Sequence, residues 1–277
     1  MSHLLSYAIN HMVAPRKSFA ELVAVANALE QDAVEIRNDL PATAILDGTD
    51  AAQIRDQAAA GGVRILSINA LQRFNAWNVE REGEARALAR YARNCGAAML
   101  VLCPVNDVSY RLSESARLSG LREALRGLAP ILGDAGVIGL VEPLGFQESS
   151  LRLQSEAVEA IEDLGLGERL RIVHDTFHHY LSGEPHLLPD WIGLVHLSGV
   201  DDLGLPVGAL RDKHRGLVGP NDRLGNIAQI CALLAGGYDG PFSFEPFEAS
   251  VHASQDIAGA LERSIHWLDA ELAKAQV

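Results

Sequence analysis

Along this chain, eight short apolar runs are separated by stretches whose apolar residues recur at steps of three and four. The runs are Leu5–Asn10, Ala33–Arg37, Arg64–Asn69, Ala98–Cys103, Val137–Glu142, Leu170–Asp175, Ile192–Leu197 and Pro241–Pro246. Strands that alternate with helices run parallel, because the helix carries the chain back before the next strand begins. Eight such units are the number that closes a barrel, so the expected fold is α/β, a (β/α)8 TIM barrel. Leu118, Leu121, Leu125, Leu128 and Leu132 form one helical stripe, and Ile257, Leu261, Ile265, Leu268 and Leu272 another; both should face the barrel. An open doubly wound sheet would usually carry a glycine-rich phosphate turn after its first strand, where this chain has Asn10-His11-Met12-Val13. With 277 residues, 48% of them hydrophobic, the chain has room for one large barrel, and 1–277 is read as a single domain.

The formal net charge of −13 opposes a nucleic-acid partner, which would require clustered Lys and Arg against phosphates. Cys95, Cys103 and Cys231 are too few and too widely spaced for a disulfide framework or a thiolate zinc site, and are expected to be reduced and buried. The first residues lack the basic and apolar regions of a signal peptide, and no stretch approaches a membrane span, so a cytoplasmic location without a membrane partner is expected. Homo-oligomer formation through mouth loops or outer helices is compatible with such a barrel.

A barrel draws its chemistry from the C-terminal ends of its strands. Four consecutive runs, the fifth to the eighth, carry Glu142, Asp175, His196 and Glu245 at or next to their last residue. One acid after an apolar run is ordinarily a helix cap or a solvated loop residue. Four such ends on one arc of a barrel mouth are different, since three gathered carboxylates repel strongly without a cation. Carboxylates and an imidazole without sulfur suit one hard or borderline divalent ion, Mn²⁺ first, with Mg²⁺, Co²⁺ and Zn²⁺ also compatible. Four protein ligands on an ion that accepts six leave about two positions, which suits the oxygens of a hydroxyketone.

At these residues the chain resembles the xylose-isomerase-like barrel superfamily, in the branch of inosose (2-keto-myo-inositol) isomerase and the ketose 3-epimerases. The resemblance spans essentially the whole chain. It is carried by Val-Glu-Pro-Leu-Gly-Phe from Val141 to Phe146, His-Asp-Thr-Phe-His from His174 to His178, Val-His-Leu from Val195, and Phe-Glu-Pro-Phe from Phe244 to Phe247. It implies that Glu142, Asp175, His196 and Glu245 bind the metal and that Glu142 and Glu245 also move the proton. It further implies that His178 contacts a substrate oxygen and that Arg215 holds substrate hydroxyls. The Asp201-Asp202-Leu203-Gly204-Leu205-Pro206 insertion before Arg215 departs from the ketose epimerases and is similar to the inosose isomerases.

The implied activity is a metal-dependent isomerisation of a polyol or sugar, in which a carbonyl moves between adjacent carbons through an ene-diolate; inosose isomerisation in inositol catabolism is the specific case. The alternatives are a ketose or ketose-phosphate 3-epimerase, a DNA-repair nuclease of the same superfamily, which the acidic balance opposes, and a non-catalytic polyol-binding barrel.

Other residues carry weaker expectations. Alternation turns His174 away from the barrel axis if Asp175 faces it. Glu35 and Arg37 share a face of the second strand and are expected to pair with each other, with Arg37 nearer the mouth. Asn10, Asn69 and Gln72 could bond a polyol, and Phe74 and Trp77 could wall the pocket or serve the core. Gly216, Gly219 and Gly225 with Arg223 could cradle a phosphate or simply form a loop. His3, His11, His179, His186, His252 and His266 have no distinguishing spacing.

Overall fold

The eight apolar runs form strands β1 Tyr7–Asn10, β2 Ala33–Arg37, β3 Arg64–Gln72, β4 Met99–Cys103, β5 Ile138–Val141, β6 Leu170–Asp175, β7 Ile192–Leu197 and β8 Phe242–Phe244 in a computed structural model. The structure describes residues 4–40, 45 and 48–275; His3 lies outside them. Each strand pairs in parallel with the next, and β8 pairs with β1, closing a (β/α)8 barrel.

Strand alternation divides the side chains into two sets. Ile9, Val34, Ile36, Leu100, Leu102, Val141, Ile172, Val195, Leu197, Phe242 and Phe244 join the large core between strands and helices. Ala8, Ala33, Leu66, Val101, Leu140, Val173 and Leu194 form a second cluster inside the barrel. Within the helical shell, Ile257–Lys274 buries Ile257, Leu261, Ile265, Leu268 and Leu272. Helix Glu114–Ala135 buries Leu121, Leu125, Leu128 and Leu132, while Leu118 is half-buried near its first turns. Each fully buried Leu or Ile contributes about 1.5–3 kcal/mol, so these stripes hold the helices against the sheet.

The strand ends differ from expectation where the ladder stops. β1 begins at Tyr7 rather than Leu5, and β3 continues to Gln72. β5 and β8 stop at Val141 and Phe244, so Glu142 and Glu245 are the first residues beyond them. Their backbones remain anchored, because Glu142 N donates to Leu102 O (3.1 Å) and Glu245 N to Leu197 O (2.8 Å). Cys95 and Cys103 are buried free thiols, but Cys231 is half-buried on the outer helix Asn226–Ala235 rather than in the interior. Among the described residues, no helix is long and apolar enough to cross a membrane.

Candidate metal centre

The strands that run apolar to their ends deliver Glu142, Asp175, His196 and Glu245 to one point at the barrel mouth. All four are buried, and one ligand atom from each lies within 4.8 Å of all the others. His196 Nδ1 lies 3.0 Å from Glu142 Oε1, 3.3 Å from Glu245 Oε2 and 3.9 Å from Asp175 Oδ2. Asp175 combines a cap with a place in this group. Its Oδ1 accepts from Phe177 N (2.8 Å) and His178 N (3.0 Å) at the start of helix Thr176–Ser182, which leaves Oδ2 aimed at the cluster.

Two guanidinium groups balance the carboxylates. Arg215 Nη2 donates to Asp175 Oδ2 (2.5 Å) and Glu245 Oε2 (2.9 Å), its Nε to Ser198 Oγ (3.1 Å) and its Nη1 to Asp212 Oδ1 (3.2 Å). Arg37 donates to Glu245 Oε1 (2.5 Å) and, through two nitrogens, to Asp39 (2.8 and 2.7 Å). Phe247 lies beneath both, 4.6 Å from the Arg215 guanidinium carbon and 5.6 Å from that of Arg37. Burial disfavours the charged forms of His196, Glu245 and Asp175, but mutual attraction outweighs it. The Glu245, Glu35 and Glu142 carboxylates hold the His196 imidazolium well above its ordinary range. His196, Arg215 and Arg37 hold Glu245 well below the usual carboxylate range, and Arg215 with His178 lowers Asp175.

This arrangement fits a divalent cation. Three carboxylate oxygens and one imidazole nitrogen converge in a buried place that already draws positive charge to the same oxygens. The donor set is that of a hard or borderline ion. Above it opens a cavity of about 320 Å³, in the size range of small-molecule pockets, lined by Arg37, Asn69, Gln72, Cys103, Asn106, Glu142, Phe146, His178, Arg215, Glu245 and Phe247 among others. A larger surface cavity of about 500 Å³, between Asp107–Leu112 and Gln147–Ser150, contains none of the clustered residues.

His178 sits in the first turn of Thr176–Ser182, edge-on to Phe146 at 5.1 Å, and its Nδ1 has no hydrogen-bond partner among the described residues. That helix packs closely on the loop after β5. A Cβ on Gly145 would lie 2.1 Å from His178 O. Arg215 is held by a loop stem. Gly199 and Gly216 exchange backbone bonds of 2.9 and 2.8 Å, and Arg215 O accepts from Phe247 N and Glu248 N. A Cβ on Gly199 would meet Leu217 O at 2.6 Å, so this stem requires glycine.

Several expectations are corrected, and others that were open are decided. Glu35 and Arg37 do not pair with each other: Arg37 bonds Asp39 and Glu245, whereas Glu35 bonds His196, Ser67, Ser243 and Asn10. Phe74 is fully buried in the outer core and Trp77 packs beside it, close over Gly127, so neither walls the pocket; Phe146 and Phe247 do. Both close motifs quoted above, and that position beside Glu142 and Glu245 was the available signal. Asn10 and Asn69 donate to Glu245, at 3.4 and 2.9 Å. Arg223 is spent on the carbonyls of Asp202 and Leu205 and on the Tyr180 hydroxyl, which removes it from a phosphate cradle. His174 does face the helices, between Gln154 and Gln229, and burial lowers its pKa to about 3. Sequence reasoning missed the Cys103 thiol, which donates to Glu142 Oε2 at 3.3 Å.

The sequence profile described as xylose isomerase-like TIM barrel matches residues 23–271. No curated protein sequence matches the chain. Among solved structures, a xylose isomerase domain containing protein from Salmonella typhimurium LT2 is 32% identical, with 99% of each chain covered and a TM-score of 0.87. The IolI protein with a binding zinc atom is 18% identical over 98% of this chain and 99% of its own, with a TM-score of 0.84. D-allulose 3-epimerase from Methylomonas sp., in complex with D-allulose, is 18% identical over 100% of this chain and 98% of its own, with a TM-score of 0.70. At 18% identity, the last two establish likeness of fold alone.

Proposed function

From the premise that the chain belongs to the xylose isomerase-like TIM barrel family, we propose that it is a divalent-metal-dependent isomerase that moves a carbonyl between adjacent carbons of a cyclitol or sugar. Inosose (2-keto-myo-inositol) is the proposed substrate and inositol catabolism the setting. The observation that carries this reading is the buried convergence of Glu142, Asp175, His196 and Glu245 beneath a polar cavity. The solved IolI protein has a binding zinc atom, and the solved epimerase holds D-allulose.

Glu142, Asp175, His196 and Glu245 would hold the ion. When bound, a divalent ion supplies Lewis acidity that lowers the cost of negative charge on a ketone oxygen. The proton work falls to the glutamates, and their surroundings divide it. Glu245 Oε1 accepts from Arg37, Asn69 and Asn10, and its Oε2 from Arg215, so its charge is tightly held. Glu142 accepts the Cys103 thiol and faces His196. A carboxylate with fewer donors is the better base, which assigns Glu142 the first proton abstraction, beside the carbonyl. Return of that proton at the former carbonyl carbon, with the hydroxyl proton of the first carbon passing to the former carbonyl oxygen, converts the ene-diolate to the shifted ketone. Arg215 keeps its charge and offers a fixed fork of donors, so it orients hydroxyls rather than exchanging carbon-bound protons. His178 can donate or accept toward another hydroxyl, while Phe146 and Phe247 limit water at the reacting carbons.

The test is incubation with an inosose in D₂O, which should give deuterium exchange and a shifted ketone. Glu142→Gln should lower exchange by about 10²–10⁴-fold, the usual contribution of a positioned base. Inertness toward the inosose, with turnover of a ketohexose, would replace isomerisation by 3-epimerisation. Full activity in verified metal-free protein would refute metal dependence.

A further inference from the structure

Glu35 is a fully buried carboxylate with no place in the mechanism above, and its surroundings are more specific than a structural ion pair requires. It lies at the middle of β2, between Val34 and Ile36, which face the helices. Register sets Glu35 opposite Asn10 on β1 and Ser67 on β3, while Ser243 on β8 lies opposite His196 on β7. Oε1 accepts from Asn10 Nδ2 (3.1 Å) and Ser243 Oγ (2.5 Å). Oε2 accepts from Ser67 Oγ (2.5 Å) and lies 3.2 Å from His196 Nε2. Four strands therefore hold one carboxylate against the far side of the His196 ring.

We propose that Glu35 is a positioning residue that accepts the Nε2 proton of His196 and so fixes Nδ1 as the metal-binding nitrogen. A neutral imidazole carries one proton, on one nitrogen or the other. An ionised carboxylate can only accept, so both ring nitrogens of the metal-free imidazolium donate; a cation among Glu142, Asp175 and Glu245 would displace the Nδ1 proton, and the proton that remains is held at Nε2 by Glu35. Nδ1 is the nitrogen turned toward Glu142, Glu245 and Asp175. The Ser67 and Ser243 hydroxyls and the Asn10 amide satisfy the remaining acceptor positions of the carboxylate, which keeps it from swinging toward the metal ligands. Glu35 thus raises the donor strength of His196 without entering the coordination shell, as outer-shell carboxylates do for metal-bound histidines.

This inference rests on the metal-centre reading, and the experiment separates the two. Wild type and Glu35→Gln, both stripped by chelator, are titrated with Zn²⁺ in competition with a chelating dye, and their metal-free melting temperatures are recorded. Gln fills the same space but removes the charge, and the expected result is a 10- to 100-fold weaker Zn²⁺ affinity, the usual range for loss of such a partner. The second readout needs no variant: ¹⁵N spectra of zinc-loaded wild type should show His196 protonated at Nε2 and metal-shifted at Nδ1. Equal Zn²⁺ affinity in the two proteins, or a His196 ring bound to zinc through Nε2, overturns the role of Glu35. A lowered melting temperature with unchanged affinity also overturns it, because that is the mark of packing alone. Wild type that takes up no Zn²⁺ refutes the metal centre itself and this inference with it.

Discussion

Arg215→Met removes the guanidinium that joins Asp175 to Glu245 and replaces it with an unbranched apolar side chain. The loss falls unequally. Glu245 retains Arg37 and faces His196, whereas Asp175 keeps no guanidinium partner, only the neighbouring His178, His196 at 3.9 Å and two backbone donors on its other oxygen. Removing one partner of a buried ion pair costs about 3–5 kcal/mol, because the remaining charge stays out of water. The lower end applies here, since the imidazolium still offsets part of the negative charge. At about 2–4 °C per kcal/mol for a domain near this size, 3 kcal/mol corresponds to a fall of about 6–12 °C in the metal-free melting temperature. A divalent ion would itself neutralise Asp175 and Glu245, so it should bind the variant, which lacks the competing guanidinium, more tightly than wild type. At one saturating Mn²⁺ concentration the gap should therefore narrow, by about 1.4 kcal/mol for each tenfold difference in Kd. Scanning calorimetry at pH 7, with chelator and then with Mn²⁺, measures both gaps. A fall below about 2 °C in chelator, or the same fall in both conditions, would refute the reasoning.

The metal-free protein should also show a characteristic pH profile. Burial lowers the His196 pKa, but Glu245, Glu35 and Glu142 outweigh it and raise the value well above 6.5, so that stabilisation is complete below about pH 6.5 and lost as pH rises through the folded-state value. Burial likewise opposes ionisation of Glu245, Glu35 and Asp175, but their cationic neighbours prevail; that stabilisation is complete above about pH 4.5 and lost as pH falls through the lowered values. The metal-free melting temperature should peak near about pH 5–6 and decline toward pH 9, whereas with saturating Mn²⁺, which displaces the His196 proton, it should rise between pH 6 and 8; a flat metal-free profile would contradict the charge assignment. Gly145→Ala places a methyl 2.1 Å from His178 O, 2.7 Å from Leu181 Cβ and 2.9 Å from Ser182 N. Helix Thr176–Ser182 must then shift, at about 1–3 kcal/mol, and KM should rise as His178 moves; an unchanged melting temperature and KM would show that the contact yields freely.

The barrel and the four converging residues were legible because strand alternation records direction. Val141 faces the helices, so Glu142 faces the axis; His174 faces outward, so Asp175 faces inward; and Val195 faces outward, so His196 faces inward. Partnership across the barrel leaves no such record. Glu35 and Arg37 share a face but lie two residues apart along an extended strand, about 6.6 Å, and each reaches a nearer partner at the end of another strand. Those partners, His196 and Glu245, are 161 and 208 positions away. The pocket aromatics were obscured for a similar reason. Phe146 and Phe247 lie in irregular loops where no periodicity assigns a direction, and Phe74, also in a loop, turned into the core instead.

The paired glycines at the neck of the loop after β7 also make the protein modular. Because Gly199 and Gly216 close the neck through backbone bonds, the anchoring of Arg215 is separated from much of what the loop contains. For a flexible loop, each doubling of length adds only about 0.6 kcal/mol of closure entropy. The exposed stretch around Leu203 and Val207 can thus be shortened, extended or exchanged at small energetic cost, provided that Asp212 and the carbonyls braced by Arg223 are kept. The neck is a natural graft point, at which the rim can diversify while the chemistry beneath it stays constant.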